Sequence, residues 1–299
     1  MDILVATESG LYRVSEGDEP ELMAEGEMVQ VIAADEGSVA LAADGTLWSV
    51  DDDGASEFDQ VALDSPSALL LDGDDIWIGT AAGRLAVVRG PDLTRVTAFD
   101  DLPGRDRWYT PWGAPASVRS MDIDDDGILY VGVHVGGVAV SRDRGTTWDA
   151  TPFDLEWDVH QVATVPDYAK TVVAACGLGV AISTDEGESW DLVTAGLHSV
   201  YSRAVAVAGE TLVCSVSIGP GGERSALYRM PIDGDRFTPC ETGLPTWFEG
   251  NVDTHCLVGW DEVVVAGGPD GSVYLSEDHG VKWREVAAEL PTIRALALP

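Results

Sequence analysis

Short apolar runs recur along the chain and are separated by acidic and glycine-containing turns. Seven of them begin alike: Ile3-Leu4-Val5-Ala6, Val39-Ala40-Leu41-Ala42, Ile76-Trp77-Ile78-Gly79, Leu129-Tyr130-Val131-Gly132, Val172-Val173-Ala174-Ala175, Leu212-Val213-Cys214-Ser215 and Val263-Val264-Val265-Ala266. The runs are too short for helices and rich in β-branched residues, and Gly or Pro interrupts most longer windows, so they predict buried strands. Their starts lie 36, 37, 53, 43, 40 and 51 residues apart. Each except the first is preceded by another apolar strand and followed, in the clearest cases, by a G-x-V/L-x-x-S strand and a short outer strand. Four strands in about 40–45 residues is the repeat of a propeller blade. The sequence therefore predicts an all-β chain, a single seven-bladed β-propeller domain over residues 1–299 built from four-stranded antiparallel blades.

The two ends fit that scheme. The segment Thr292-Ile293-Arg294-Ala295-Leu296-Ala297-Leu298 has the character of an innermost strand with no blade after it, whereas Ile3 starts a second strand with no innermost strand before it. Pairing residues 292–298 with the N-terminal blade would close the fold and leave no wide sheet edge exposed.

Three hairpins carry one motif: Ser141-x-Asp143-x-Gly145-x-Thr147-Trp148, Ser183-x-Asp185-x-Gly187-x-Ser189-Trp190 and Ser276-x-Asp278-x-Gly280-x-Lys282-Trp283. The Asp carboxylate is placed to accept backbone N–H groups of the turn, Gly admits positive φ, and Trp packs back over the hairpin. These segments, 141–148, 183–190 and 276–283, resemble the Asp-box (BNR repeat) of sialidases, sortilin-type receptors and photosystem assembly-factor propellers; the third departs from the pattern at Lys282. The resemblance implies a propeller and assigns these aspartates to folding. It covers three blades and supports fold more strongly than function.

Charge changes the picture of the surroundings. Asp and Glu number 52 against 17 Lys and Arg, a formal charge of −35. The acids are spread through turns such as 51–53, 72–75 and 124–126 and form no tail. Repulsion of this size is relieved where molar salt shrinks the Debye length to about 3 Å, so the acidity reads as adaptation to a halophile's cytoplasm, of haloarchaeal character. It excludes non-specific nucleic-acid binding. Met1 runs at once into an apolar strand with no basic leader, and no apolar run is long enough to span a membrane, so the expected location is cytoplasmic. Cys176, Cys214, Cys240 and Cys256 lack metal or redox spacing and read as buried free thiols. No cofactor and no metal ligands are assigned.

Candidate chemistry lies at the starts of the innermost strands. Aligning Val29-Gln30-Val31, Pro66-Ser67-Ala68, Val118-Arg119-Ser120, Val159-His160-Gln161, Ser202-Arg203-Ala204, Thr254-His255-Cys256 and Ile293-Arg294-Ala295 gives a column of polar residues, five of them basic. In a propeller that column rings one mouth of the central channel. Arg119, His160, Arg203, His255 and Arg294, with His134 from the turn after a second strand, would attract anions, since guanidinium groups pair with carboxylate or phosphate in bidentate fashion. Loops with Trp108, Tyr109, Trp112 and Trp247 would form aromatic walls. The expected function is a non-catalytic binding or assembly propeller holding an anionic small molecule or an acidic or C-terminal protein segment. The competing structural reading makes the arginines braces between blades, paired with Asp122, Asp158 or Asp253. An alternative activity is a sialidase-like or other glycoside hydrolase acting on an acidic sugar, with Glu8, Asp122, Asp158 and Glu249 as the acids on the right face; the Arg-Ile-Pro element of sialidases is absent. Gly219-Pro220-Gly221-Gly222 has no helix after it and so cannot offer phosphate a helix N-terminus.

Overall fold

The structure is a computed structural model that describes residues 1–34, 36–110, 112–151 and 157–299. It is all-β: seven four-stranded antiparallel sheets, the blades of a seven-bladed β-propeller. The regular helical segments described are two short ones, Thr97–Asp100 and Arg105–Arg107. No helix among the described residues is long and apolar enough to cross a membrane.

The blades follow the apolar pattern closely. Their second strands are Asp2–Thr7, Ser38–Ala42, Asp75–Thr80, Leu129–Val133, Val172–Cys176, Thr211–Val216 and Val263–Gly267. Each lies within one residue of its sequence expectation, because these strands are flanked on both sides and covered on both faces, and their register follows from apolar content alone. The first blade takes its innermost strand from the other end of the chain: Ile293–Ala297 pairs antiparallel with Asp2–Thr7, as Leu4 opposite Ala297 and Val5 opposite Leu296.

By contacts the chain divides into two compact units. One comprises Met1–Ala62 and Thr194–Pro299, which hold the first, second, sixth and seventh blades; the other is Leu63–Val193, with the third, fourth and fifth. In the larger unit Ile3, Val5, Leu257, Val264, Leu275, Ile293 and Leu296 share a core with Trp283. In the smaller unit Leu70, Trp77, Leu85, Phe99, Leu129, Val131 and Trp148 do the same. All four cysteines are buried and free. Burial pushes their thiols up, Cys240 to about 12.

The three motif hairpins form one hydrogen-bonded unit three times over. Ser141 Oγ accepts the Gly145 amide at 2.8 Å and donates to Asp143 Oδ1 at 3.0 Å. Asp143 then accepts the Thr147 amide and the Thr147 hydroxyl, both at 2.7 Å. Trp148 Nε1 donates back to the Gly145 carbonyl at 3.2 Å. Asp185 repeats the pattern with the Ser189 amide at 2.8 Å and hydroxyl at 2.6 Å. Asp278 accepts the Lys282 amide at 2.8 Å, but Lys282 has no hydroxyl to offer the second carboxylate oxygen. The turn requires two successive left-handed residues, Arg144 at φ 52° and Gly145 at φ 84°, and only glycine takes the second without strain.

A second recurring feature lies at the start of the innermost strands. In the third blade Pro66 opposes Thr80 and Ala68 opposes Gly79, so Ser67 is an extra residue, a β-bulge. The same arithmetic makes Arg119 the bulge in the fourth blade, His160 in the fifth and Arg294 in the first. In the second blade Met28 opposes Ala42 and Gln30 opposes Leu41, which leaves Val29 as the bulge. The aligned column therefore shifts by one residue there: an apolar residue occupies the place expected for Gln30. Arg203 and His255 sit just before their strands, which begin at Val205 and Leu257, and His255 has φ 63°. A bulge re-aims the side chain it inserts, which is how a basic residue is tolerated beside a buried apolar strand.

Candidate functional site

Within the smaller unit three side chains from two blades meet. His134 stands in the tight turn after the second strand of the fourth blade; its amide bonds the Ser117 carbonyl at 2.9 Å, and Gly136 closes the turn on Val133 at 2.8 Å. A Cβ at Gly136 would come within 3.1 Å of the Trp108 ring, so that indole is packed directly on the turn. Asp158 and His160 come from the start of the innermost strand of the fifth blade. His134 Nε2 lies 3.0 Å from Asp158 Oδ1, and His160 Nε2 lies 3.3 Å from Asp158 Oδ2. The imidazole rings are 5.7 Å apart, and the Trp112 indole lies 5.3 Å from His134.

The carboxylate is the centre of this group. Desolvation by burial raises the Asp158 carboxyl, but the imidazoles of His134 and His160 close beside it outweigh that and hold the group well below the usual carboxylate range. Asp158 adopts φ 56°, a left-handed conformation unusual for a residue other than glycine. The Gly177 amide donates to the Asp158 carbonyl at 3.0 Å, and a Cβ added at Gly177 would come within 3.1 Å of Asp158 Cβ, so glycine there lets the two segments lie this close. His160 is fully buried, whereas Trp112 is 64% exposed, so the cluster runs from the interior to solvent.

The other candidates divide by environment. Arg119 is partly buried in its bulge. Trp108 turns inward: it packs on Phe99, and the Arg105 guanidinium lies 4.5 Å from its ring. Tyr109 is exposed, and Pro111 of the same loop lies outside the described residues. In the larger unit Arg203 is committed to Asp253 at 2.8 Å and lies over the Tyr201 ring. That is the brace that the structural reading expected, although Arg203 Nε is buried without a hydrogen bond. His255 Nδ1 lies 3.5 Å from Gln30 Nε2. Arg294 is the most open of the arginines in the column, its side chain 45% exposed and its nearest carboxylates, Glu27 and Glu8, at 3.8 and 4.0 Å. Trp247 lies 5.1 Å from His198, which in turn meets the Tyr228 hydroxyl at 2.9 Å. Burial lowers the His198 imidazole.

Of the acids considered as partners or catalysts, Asp122 serves a different task. It accepts the Thr164 amide at 2.7 Å and hydroxyl at 3.0 Å from the neighbouring blade. Burial pushes its carboxyl up despite those bonds. The grouping of Asp158 with both histidines was not anticipated from the sequence. Its trace there is the Asp158-x-His160 alternation beside a lone histidine in a strand-end turn, a pattern with no fixed spacing to search for.

No protein-family model and no curated protein matches the sequence. Solved structures match it by shape. The WD40 propeller domain of Doa1 has a TM-score of 0.64 at 13% identity, with 97% of this chain matched to 90% of that one. The likeness is one of fold. U3-55K gives 0.63 at 13% identity over 91% of this chain and 84% of that one. The GH74 xyloglucanase from Xanthomonas campestris gives 0.63 at 17% identity, covering 91% of this chain and 46% of that one. An ancestral GH74 enzyme matches with a TM-score of 0.58 and 15% identity over 84% of this chain, which spans about a third (35%) of the enzyme's length. A WD40 propeller domain and GH74 enzymes are thus both similar to this chain in fold, and the fold does not choose between their roles.

Proposed function

We propose that this chain is a non-catalytic binding or assembly propeller whose basic bulge residues and exposed loop aromatics hold an anionic small molecule or an acidic or C-terminal protein segment. The observation that carries this reading is the bulge row. In a chain with 52 acids and 17 Lys and Arg, the inserted residues that leave the apolar ladder are basic at Arg119, His160 and Arg294, and Arg203 and His255 stand just before the corresponding strands of the sixth and seventh blades. Arg294 keeps an exposed guanidinium at loose distance from its carboxylates, ready for a bidentate partner. Trp112 and Trp247 present exposed rings on the loops, the residue type that anchors binding surfaces. On the same reading the three hairpins belong with the Asp-box propellers, and the acidity is an adaptation to the salt-rich cytoplasm of a halophile.

The hydrolase alternative is favoured by the likeness in fold to GH74 enzymes. Against it, Asp122, the carboxyl that burial raises, spends its acceptors on Thr164, and Asp158 is held ionised between imidazoles.

Isothermal titration in molar KCl with citrate, pyrophosphate and an acidic hexapeptide tests the proposal, with a panel of chromogenic glycosides run in parallel. Arg294→Ala and Arg119→Ala should each weaken the anion that binds by about tenfold or more, the range for a charge-assisted bond. Unchanged affinity in both variants, or glycoside turnover, would overturn it.

A further inference from the structure

We propose that His134, Asp158 and His160 form a binding site for a divalent transition-metal ion of the zinc class. The inference is independent of anion binding by the bulge arginines: it concerns residues of one compact unit and needs no organic ligand. The three groups each offer one ligand atom, and those atoms lie within 4.8 Å of one another. Tetrahedral bonds of about 2.0–2.2 Å to zinc place neighbouring ligand atoms about 3.3–3.6 Å apart. His134 Nε2 stands 3.0 Å from Asp158 Oδ1 and His160 Nε2 3.3 Å from Asp158 Oδ2, so the imidazoles flank the carboxylate at spacings that an ion would widen by only a few tenths of an ångström.

Three further observations point to an ion over a plain hydrogen-bonded brace. Asp158 Oδ1 is shielded from solvent, and His134 Nε2, although 3.0 Å away, does not meet it with hydrogen-bond geometry. The carboxylate is thus close to two imidazoles and only partly satisfied by them. Asp158 stands in a left-handed conformation at φ 56° with its carbonyl taken by the Gly177 amide, strain of the kind that persists where a side chain must be aimed. Finally, two imidazoles and one carboxylate are a donor set suited to zinc, cobalt, nickel or iron, whereas the turn acids elsewhere offer only oxygen and suit magnesium or calcium. Three protein ligands also leave coordination positions open, and the exposed Trp112 edge marks the solvent side on which an anionic or neutral donor would complete the sphere.

The experiment must separate this site from the rest of the chain's 52 acids. The full chain is stripped with EDTA, dialysed into molar KCl with excess Mg2+ to occupy and screen the oxygen-only sites, and titrated with Zn2+ by calorimetry and with Co2+ by visible absorption. One equivalent of Zn2+ and a Co2+ d–d spectrum are expected for the unaltered chain. Asp158→Asn and the rim variant His134→Gln should each lose at least about tenfold in zinc affinity, the lower bound seen even for outer-shell partners. Asp143→Asn, in a hairpin, should bind zinc as the unaltered chain does. Absence of stoichiometric zinc in the unaltered chain, or retention of it by both folded cluster variants, would overturn the assignment.

Discussion

Asp143 and Asp158 are both loop aspartates held ionised, yet the chain uses them oppositely. Asp143 meets its partners within four residues: the Ser141 hydroxyl and the amide and hydroxyl of Thr147 fill its oxygens, and among the described residues none from another blade hydrogen-bonds to it. Asp158 takes its partners from two strand ends, 24 residues apart in the case of His134, and one of its oxygens is buried without a well-formed hydrogen bond. A carboxylate saturated by its own turn stabilises that turn and has nothing left to offer. One assembled from distant segments and left under-satisfied is available to a ligand. Acidic residues are therefore informative here through where their partners come from, not through their number.

The largest test of local against assembled structure concerns the closing strand. Deleting residues 293–299 removes the inner edge of the first blade and the Leu4–Ala297 and Val5–Leu296 pairs. Thermal unfolding by circular dichroism should show the midpoint falling by more than about 10 °C, since several buried apolar residues and a full strand ladder are lost together. A truncated chain that melts with the intact one would show that the first blade holds without closure.

A smaller loss is expected when a saturated hairpin is opened. Asp185→Ala removes acceptors for one amide and one hydroxyl and should cost about 1–2 kcal/mol by denaturant titration. Its pH dependence has a fixed sign. Hydrogen bonds from Ser189 lower the Asp185 carboxyl below its ordinary 3.8, so the stabilisation is present above about pH 4 and is lost as pH falls through the lower folded value. The gap between Asp185→Ala and the unaltered chain should accordingly close on acidification; a gap that widens would refute the assignment.

Lys282→Thr sharpens the comparison from the other direction. It supplies the hydroxyl that the third hairpin lacks and should add about 0.5–1 kcal/mol. The smallest effect concerns the thiols: burial raises all four, so Ellman's reagent should label none of them at pH 8 until the chain unfolds.

The sequence discloses the strands because their signal is local. Seven apolar runs, three hairpin motifs and the orphan strand at residues 292–298 each carry their own register, and all reappear within a residue or so. The bulge row is half legible. A polar residue before an apolar strand marks it in the first, third, fourth and fifth blades, but in the second the inserted residue is Val29, because the ladder with Ser38–Ala42 sets the offset and polarity does not. Trp108 shows the same limit: as a loop aromatic it reads like a wall, and only the packing of Phe99, Arg105 and Gly136 around it shows that it supports the His134 turn. Asp158 and His134 share no motif, since a pairing made by blade packing leaves no spacing in the chain.

One measurement separates the two kinds of aspartate most directly: the zinc-induced shift in melting midpoint for Asp143→Asn and Asp158→Asn beside the unaltered chain, in molar KCl with excess Mg2+. Asp143→Asn should melt lower than the unaltered chain but keep the full upward shift, and Asp158→Asn should show a much smaller one. Equal shifts in both variants would contradict the account.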